Sequence, residues 1–180
     1  MSEDISRQTF QIEVEQEIHA LRARADLRET DLRGVNFQGA SFERVDLRGA
    51  NLQGVSFERA DMRGARLRGA DLQGADLRGA NLNGGDLREA NLRQANLEGA
   101  DLTISALMKA DLCGANLRQA DLRAAQLSDA IFQGANLQGV DLRNADLRGT
   151  NFEGSNLDGA NLDNITYDER TIWPVDGTPA

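Results

Sequence analysis

The sequence has few of the residues from which globular cores and catalytic sites are usually built. Its 180 residues include one cysteine, one histidine, one tyrosine, one tryptophan and two prolines, and aromatic residues make up 4% of the chain. A single cysteine excludes an intramolecular disulfide and a cysteine-rich zinc site. The single histidine, His19, leaves few of the common metal sites and catalytic triads available. We therefore predict no catalytic residue, no metal site and no cofactor, and the chain is not expected to be an enzyme.

Positive charge is also scarce. The chain has 20 lysine and arginine residues against 29 aspartate and glutamate residues, which gives a net charge of −9. Nucleic acids and anionic membranes are bound through basic surfaces, so we expect direct binding to neither. No apolar run approaches the ~20 residues of a membrane helix, and the first residues are acidic where a signal peptide needs positive charge. A cytoplasmic location is the resulting expectation.

What the sequence does contain is an uninterrupted five-residue repeat. Every fifth residue from Leu27 to Leu162 is large and apolar, and these 28 positions hold 22 leucines, five phenylalanines and one methionine. The residue two places earlier is alanine in 19 repeats, the residue one place earlier is Asp or Asn in 22, and the residue two places later is glycine in 16. The unit therefore reads A-(D/N)-L-x-G.

A period of five fits neither an α-helix nor a flat strand. Two inward residues followed by outward residues and a turn fit a short straight edge with a corner, where glycine tolerates positive φ. Phe37 and Phe57 lie 20 residues apart, and so do Phe132 and Phe152. The sequence therefore predicts an all-β solenoid in which four repeats form each square coil and equivalent side chains stack in successive coils.

The repeat resembles that of the pentapeptide-repeat proteins, whose motif is A-(D/N)-L-x-x, over residues 25–164. The resemblance implies the fold of that family, a right-handed quadrilateral β-helix. At four repeats per coil, 28 repeats would give seven coils and a rod about 34 Å long. Some members of the family protect bacterial DNA gyrase from quinolones and are thought to resemble DNA in size and charge.

The open ends of such a solenoid need covers, because they would otherwise expose apolar side chains and unpaired backbone. We assign residues 1–24 to an N-terminal cap, residues 25–164 to the repeat, and residues 165–180 to a C-terminal cap and tail. Four apolar residues of the first segment share one helical face: Phe10, Val14, Ile18 and Leu21. We therefore predict a helical cap, although alternation within residues 8–15 leaves a strand open.

The C-terminal segment is rich in apolar residues for its length: Ile165, Tyr167, Ile172, Trp173 and Pro174. Tyr167 keeps the five-residue phase, which predicts that it begins to cover the last coil. We expect a monomer or a weak homodimer, with the C-terminal end favoured for any pairing.

The outward polarity of the repeat breaks at one place. Apolar residues occupy positions that are normally polar: Ile104, Ala106, Met108 and Ile131. We define the candidate partner surface as Ile104, Met108, Lys109, Cys113 and Ile131, which includes the only lysine and the only cysteine. Apolar residues on a polar surface can mark a protein interface, while scattered apolar residues are also ordinary surface composition.

Arginines recur along one edge, at Arg28, Arg48, Arg68, Arg88 and Arg148. Several follow an aspartate by two residues. The edge can be read as an anion-binding stripe or as a ladder whose acids neutralise its bases, and we favour the second. Exposed pairs of this kind are worth only ~0–1 kcal/mol each.

The inward positions should fill the channel, so function is expected on the outer faces. We predict a non-enzymatic scaffold for protein–protein interaction, whose partner the sequence does not identify; a purely structural rod stays open. The alternative is a DNA mimic that binds and protects or inhibits a type II topoisomerase such as gyrase. An acidic end supports it: Glu153, Asp158, Asp163, Asp168 and Glu169. Against it, no edge is strongly of one sign, since the edge of Leu27 has seven acids and seven bases.

Overall fold

The computed structural model describes residues 27–175, in which the backbone pairing repeats every 20 residues. Parallel β-bridges join Asp31 to Asn51 and Asn51 to Asp71, and the same step continues as far as the bridge from Asp146 to Thr166. Each bridge is a single residue, and residues 27–175 contain neither a longer strand nor a helix. Four pentapeptides therefore form one coil, which confirms the period predicted from the phenylalanine spacing.

Each repeat turns a corner through a hydrogen-bonded β-turn. In a representative turn, the amide of Ala50 donates to the carbonyl of Leu47 at 3.1 Å, and Gly49 between them has φ 66°. A positive φ at the third turn residue is the signature of a type II turn and favours glycine there. Every fifth residue from Glu29 to Asn164 has positive φ, sixteen of them glycine and twelve of them other residues.

Successive coils are joined by three backbone hydrogen bonds per repeat. The amide of Leu72 donates to Asn91, and the amide of Gly74 donates to Arg93, both toward the C-terminal coil, at 2.7 and 2.9 Å. The amide of Asn91 donates back to the carbonyl of Ala70 at 3.0 Å. Two of every three inter-coil amides therefore point toward the C-terminal end.

The interior of the coils is filled by the two inward positions of each repeat. Leu87 and its equivalents two coils away, Leu47 and Leu127, are fully buried, and so is Ala125 at the second inward position. Phe37 stacks on Phe57 with centroids 5.4 Å apart. The second predicted pair, 132 and 152, stacks at 5.2 Å. Both pairs confirm the stacking of equivalent side chains, and the packed channel forces variation between repeats onto the outer surface.

The five-residue phase is lost near the C-terminal end. Asp146 pairs with Thr166 at a spacing of 20 residues, whereas Asn151 pairs with Ile172 at a spacing of 21. Tyr167 keeps its phase, as predicted, but its side chain is 52% exposed. The proposed N-terminal cap, residues 1–24, and the end of the C-terminal tail, residues 176–180, lie outside the described residues.

Candidate functional site

Aspartate–arginine pairs neutralise much of the outer surface. Arg88 donates through Nε and Nη2 to the two carboxylate oxygens of Asp86, at 2.7 Å each. The hydrogen bond from the Arg88 side chain lowers the pKa of Asp86, against the opposing effect of its partial burial. The same two-point contact recurs in seven more triplets: Asp31–Arg33, Asp46–Arg48, Asp61–Arg63, Asp76–Arg78, Asp121–Arg123, Asp141–Arg143 and Asp146–Arg148.

The arginine edge follows the same rule. Arg48, Arg88 and Arg148 each bind the aspartate two residues earlier, at 2.6 to 2.7 Å, and Arg68 binds Glu89 at 2.7 Å. An anion-binding stripe would need guanidinium groups that are not already held by carboxylates. The geometry at these four positions agrees with the interpretation that acids along this edge neutralise its arginines.

The candidate partner surface extends around a coil instead of forming one flat patch. Ile104 occupies one corner of a coil, and Met108 and Lys109 form the corner that follows it. Cys113 and Ile131 lie beyond the next corner, in neighbouring coils on one edge. Of these five residues Ile104 and Lys109 are exposed, and the other three are half-buried. The structure therefore spreads the five residues over three successive corners of one coil and an edge of the next coil, so they do not form one patch.

Ile104 has an unusual backbone conformation for its side chain. Its φ is 52°, and it is the one β-branched residue among the twelve non-glycine corners of residues 27–175. The left-handed region costs an ordinary L-residue about 1–2 kcal/mol, and a β-branched residue there is an outlier. Its side chain is also 60% exposed. The residue was predicted as part of the partner surface from polarity alone; its position two places after Leu102 was the signal for the strained corner.

Cys113 is poorly suited to nucleophilic chemistry. Partial burial raises the pKa of its thiol, and the nearby Asp111 carboxylate raises it further. Asp111 in turn accepts from Arg93 Nη1 at 2.9 Å. The thiolate is the reactive form of cysteine, and these contacts disfavour it at Cys113.

The five carboxylates of the acidic end differ in their contacts, and not all of them are unpaired. Asp168 accepts from the amide of Gly149 at 2.8 Å and from Arg170 Nη2 at 2.9 Å, and Arg170 also binds Asp129 at 2.8 Å. Glu153 accepts from a glutamine in the preceding coil at 2.7 Å. The remaining three carboxylates are exposed, with no ion pair in residues 27–175: Asp158, Asp163 and Glu169.

The described surface has a groove across successive coils. The groove is lined by Arg118, Gln119, Gln138, Gly139, Asp158 and Gly159, where two successive corner glycines leave a gap between longer side chains. Within residues 27–175, no cluster of His, Cys, Asp and Glu has the arrangement of a metal site. No helix in that part of the chain is long and apolar enough to span a membrane.

Comparison with known proteins gives one family. The sequence profile of the pentapeptide repeats matches in eight copies, over residues 23–49, 40–79, 70–103, 106–144 and 135–165. No curated protein matches the chain.

Several solved structures are similar to the chain. HetL from the cyanobacterium Nostoc sp. strain PCC 7120, a pentapeptide-repeat protein involved in heterocyst differentiation regulation, is 28% identical with a TM-score of 0.37, and the match covers 92% of this chain and 98% of HetL. The pentapeptide-repeat protein alr5209 from Nostoc PCC 7120 is 42% identical with a TM-score of 0.51, over 52% of this chain and 77% of alr5209. QnrB1, a plasmid-mediated fluoroquinolone resistance protein, is 19% identical with a TM-score of 0.35, over 79% of this chain and 91% of QnrB1.

The family profile covers most of the chain, and the structure has the 20-residue coil that its repeats predict. The chain therefore belongs to the pentapeptide-repeat family.

Proposed function

We propose that the chain is a non-enzymatic scaffold for protein–protein interaction, whose partner is a protein still to be identified. The observation that carries this proposal is the filled channel: residues such as Leu87 and Phe132 have no exposed surface. The variation in charge and polarity between repeats therefore lies on the outside of the rod. Seven coils wound right-handed, as in the family, would make that rod about 34 Å long. Stacked repeat proteins commonly bind partners over such extended surfaces.

Affinity capture from cells that express the protein, followed by binding of the purified candidates, tests the proposal. A single protein that binds the intact chain at micromolar concentration or tighter supports a scaffold. Turnover of a small molecule by the purified chain, or failure of every candidate to bind, would contradict it.

The alternative function is a DNA mimic that acts on a type II topoisomerase. It is favoured by the exposed carboxylates at the C-terminal end, Asp158, Asp163 and Glu169, and by the net charge of −9. The faces of the rod do not support DNA mimicry, because most aspartates on them already bind an arginine. A gyrase supercoiling assay with and without a quinolone decides it, and no effect at micromolar protein would exclude this function.

Self-association is proposed as weak, at the C-terminal end. Tyr167 and Ile172 are exposed there beside the half-buried Trp173, but the acidic residues around them would repel a second copy across a two-fold axis. Sedimentation of the wild type, Ile172→Asp and Met108→Asp tests this. A tight dimer that survives both changes would contradict it.

A further inference from the structure

Among residues 27–175, one large apolar side chain is both exposed and at a corner of positive φ. Ile104 stands at a corner with φ 52° and 60% of its surface exposed. Both features work against stability, because glycine would remove the backbone strain and an exposed isoleucine gains no burial. Strain that the fold does not need is a reason to look for a contact outside the chain.

The surroundings of Ile104 leave its side chain projecting. The equivalent corners in the two coils before it are glycines, Gly84 and Gly64, and the corner in the coil after it is Ala124. The Ile104 Cδ1 atom lies 3.9 Å from the point where a side chain on Gly84 would begin. Ile104 is therefore a large side chain at a corner of small residues, with its Cδ1 atom over Gly84, and a partner backbone could approach closely on the side of Ala124.

The next corner of the same coil carries an unpaired cation. Lys109 is exposed and forms no ion pair in the described part of the chain. The acids at the same corner in the neighbouring coils are Glu89 and Asp129, and each binds an arginine instead, at 2.7 and 2.8 Å. Most arginines of the described surface are held by carboxylates, whereas the Lys109 ammonium group is available for a charge outside the chain.

We propose that Ile104 and Lys109 are the anchors of the partner interface, and that the partner is a folded protein with an apolar pocket for Ile104 and a carboxylate one coil edge away for Lys109. The half-buried Met108 between them extends the apolar contact. This inference rests on the proposed scaffold function. A nucleic acid does not fit, because the chain has a net charge of −9 and most arginines in residues 27–175 are already held by carboxylates, which leaves few cations for phosphate contacts.

Two variants test the interface, each with a matched control. Ile104→Gly removes the side chain, and Gln94→Gly makes the same exchange at the opposite corner, where φ is 56°. Lys109→Glu reverses the free cation, and Arg118→Glu reverses another exposed cation that has no ion pair in residues 27–175. The binding partners used are the proteins that the wild type captures. Each is purified, and its binding to the wild type and to every variant is measured by calorimetric titration.

We expect Ile104→Gly and Lys109→Glu each to weaken binding at least about tenfold, as for interface hot spots, and each control to change it less than about twofold. A partner that binds both test variants as tightly as the wild type would overturn the inference and leave the scaffold function standing. Capture of no protein by the wild type would overturn both. Ile104→Gly should also raise the Tm of the free protein, and a lower Tm would show that the corner is not strained.

Discussion

Phe152 and Trp173 stack with their ring centroids 5.4 Å apart and their planes 11° from parallel, although they are 21 residues apart instead of 20. The extra residue is accommodated in the turn before Trp173, where the amide of Thr171 donates to the carbonyl of Asp168 at 3.0 Å. The Thr171 hydroxyl donates to the carbonyl of Leu147 at 2.9 Å. The turn thus shifts the chain by one residue and places an aromatic ring over the last phenylalanine of the channel.

Replacement of Trp173 by alanine should therefore loosen the last coil. We expect a loss of about 1–3 kcal/mol, less than for a fully buried tryptophan because Trp173 is only half-buried. The amide of Phe152, which donates to the carbonyl of Ile172 at 2.7 Å, should exchange faster with solvent. Urea denaturation and hydrogen exchange measure both effects. Val175→Ala is the control, because Val175 is 98% exposed, and an equal loss in that variant would contradict the role of the stack.

Corner glycines should differ in their tolerance of alanine. A methyl group on Gly149 would overlap Oδ1 of Asp129, which is held by Arg170, whereas Gly134 has open space around the same position. Both residues have φ between 65° and 68°, so the backbone cost of about 1–2 kcal/mol is shared. Thermal melts should therefore show a larger drop in Tm for Gly149→Ala than for Gly134→Ala. The reverse order would show that the ion pair moves aside freely.

The inward and outward sides of one repeat can be compared directly. Leu87→Asp would bury an unpaired carboxylate in the channel, which costs several kcal/mol or prevents folding. Arg88→Asp at the next position loses the contact to Asp86 and is expected to cost about 1 kcal/mol or less. Circular dichroism melts of the two variants check the difference, and similar Tm values would refute the assignment of sides.

Acid should weaken the protein through its aspartate–arginine pairs. The pKa of Asp146 is lowered to about 2, first by the hydrogen bond from the Arg148 side chain, with smaller contributions from the Arg148 amide and Ser128. Because this pKa lies below the ordinary value of 3.8, the pair stabilises the folded state above about pH 4 and loses that effect as the pH falls toward 2. Arg148→Ala should return the pKa toward 3.8, as measured by NMR titration. Arg118→Ala should leave it unchanged, and a wild-type pKa near 3.8 would contradict the pairing.

The regular part of the fold could be predicted from the sequence because one local rule repeats. Most repeats have a leucine at a fixed phase, a small residue two places earlier and often a glycine two places later. These positions indicate which residues point inward and which form the corner. The 20-residue spacing of Phe37 and Phe57 gives the number of repeats in a coil. Neutral pairing along the arginine edge was also predicted, since residues two apart such as Asp86 and Arg88 lie side by side on one edge.

Features that break the rule were harder to predict. The one-residue shift before Trp173 depends on side-chain hydrogen bonds of Asp168 and Thr171, which carry no periodic signal. The ion pair of Arg170 with Asp129 joins residues 41 apart and depends on that shift. Ile104 was identified because it is an apolar residue at a position that is normally polar. The strain at its corner became clear only from the backbone φ.

The 20-residue coil determines which residues share an edge, and disulfide cross-linking tests it most directly. In a Cys113→Ala background, cysteines at Gln53 and Gln73 would lie on one edge in successive coils, about 4.8 Å apart, within disulfide range. Cysteines at Gln53 and Arg68, 15 residues apart, would lie on different edges. Mild oxidation and mass spectrometry should find an intramolecular disulfide in the first variant and free thiols in the second. A disulfide in the second variant, or in neither, would contradict the four-sided coil and every surface assignment that depends on it.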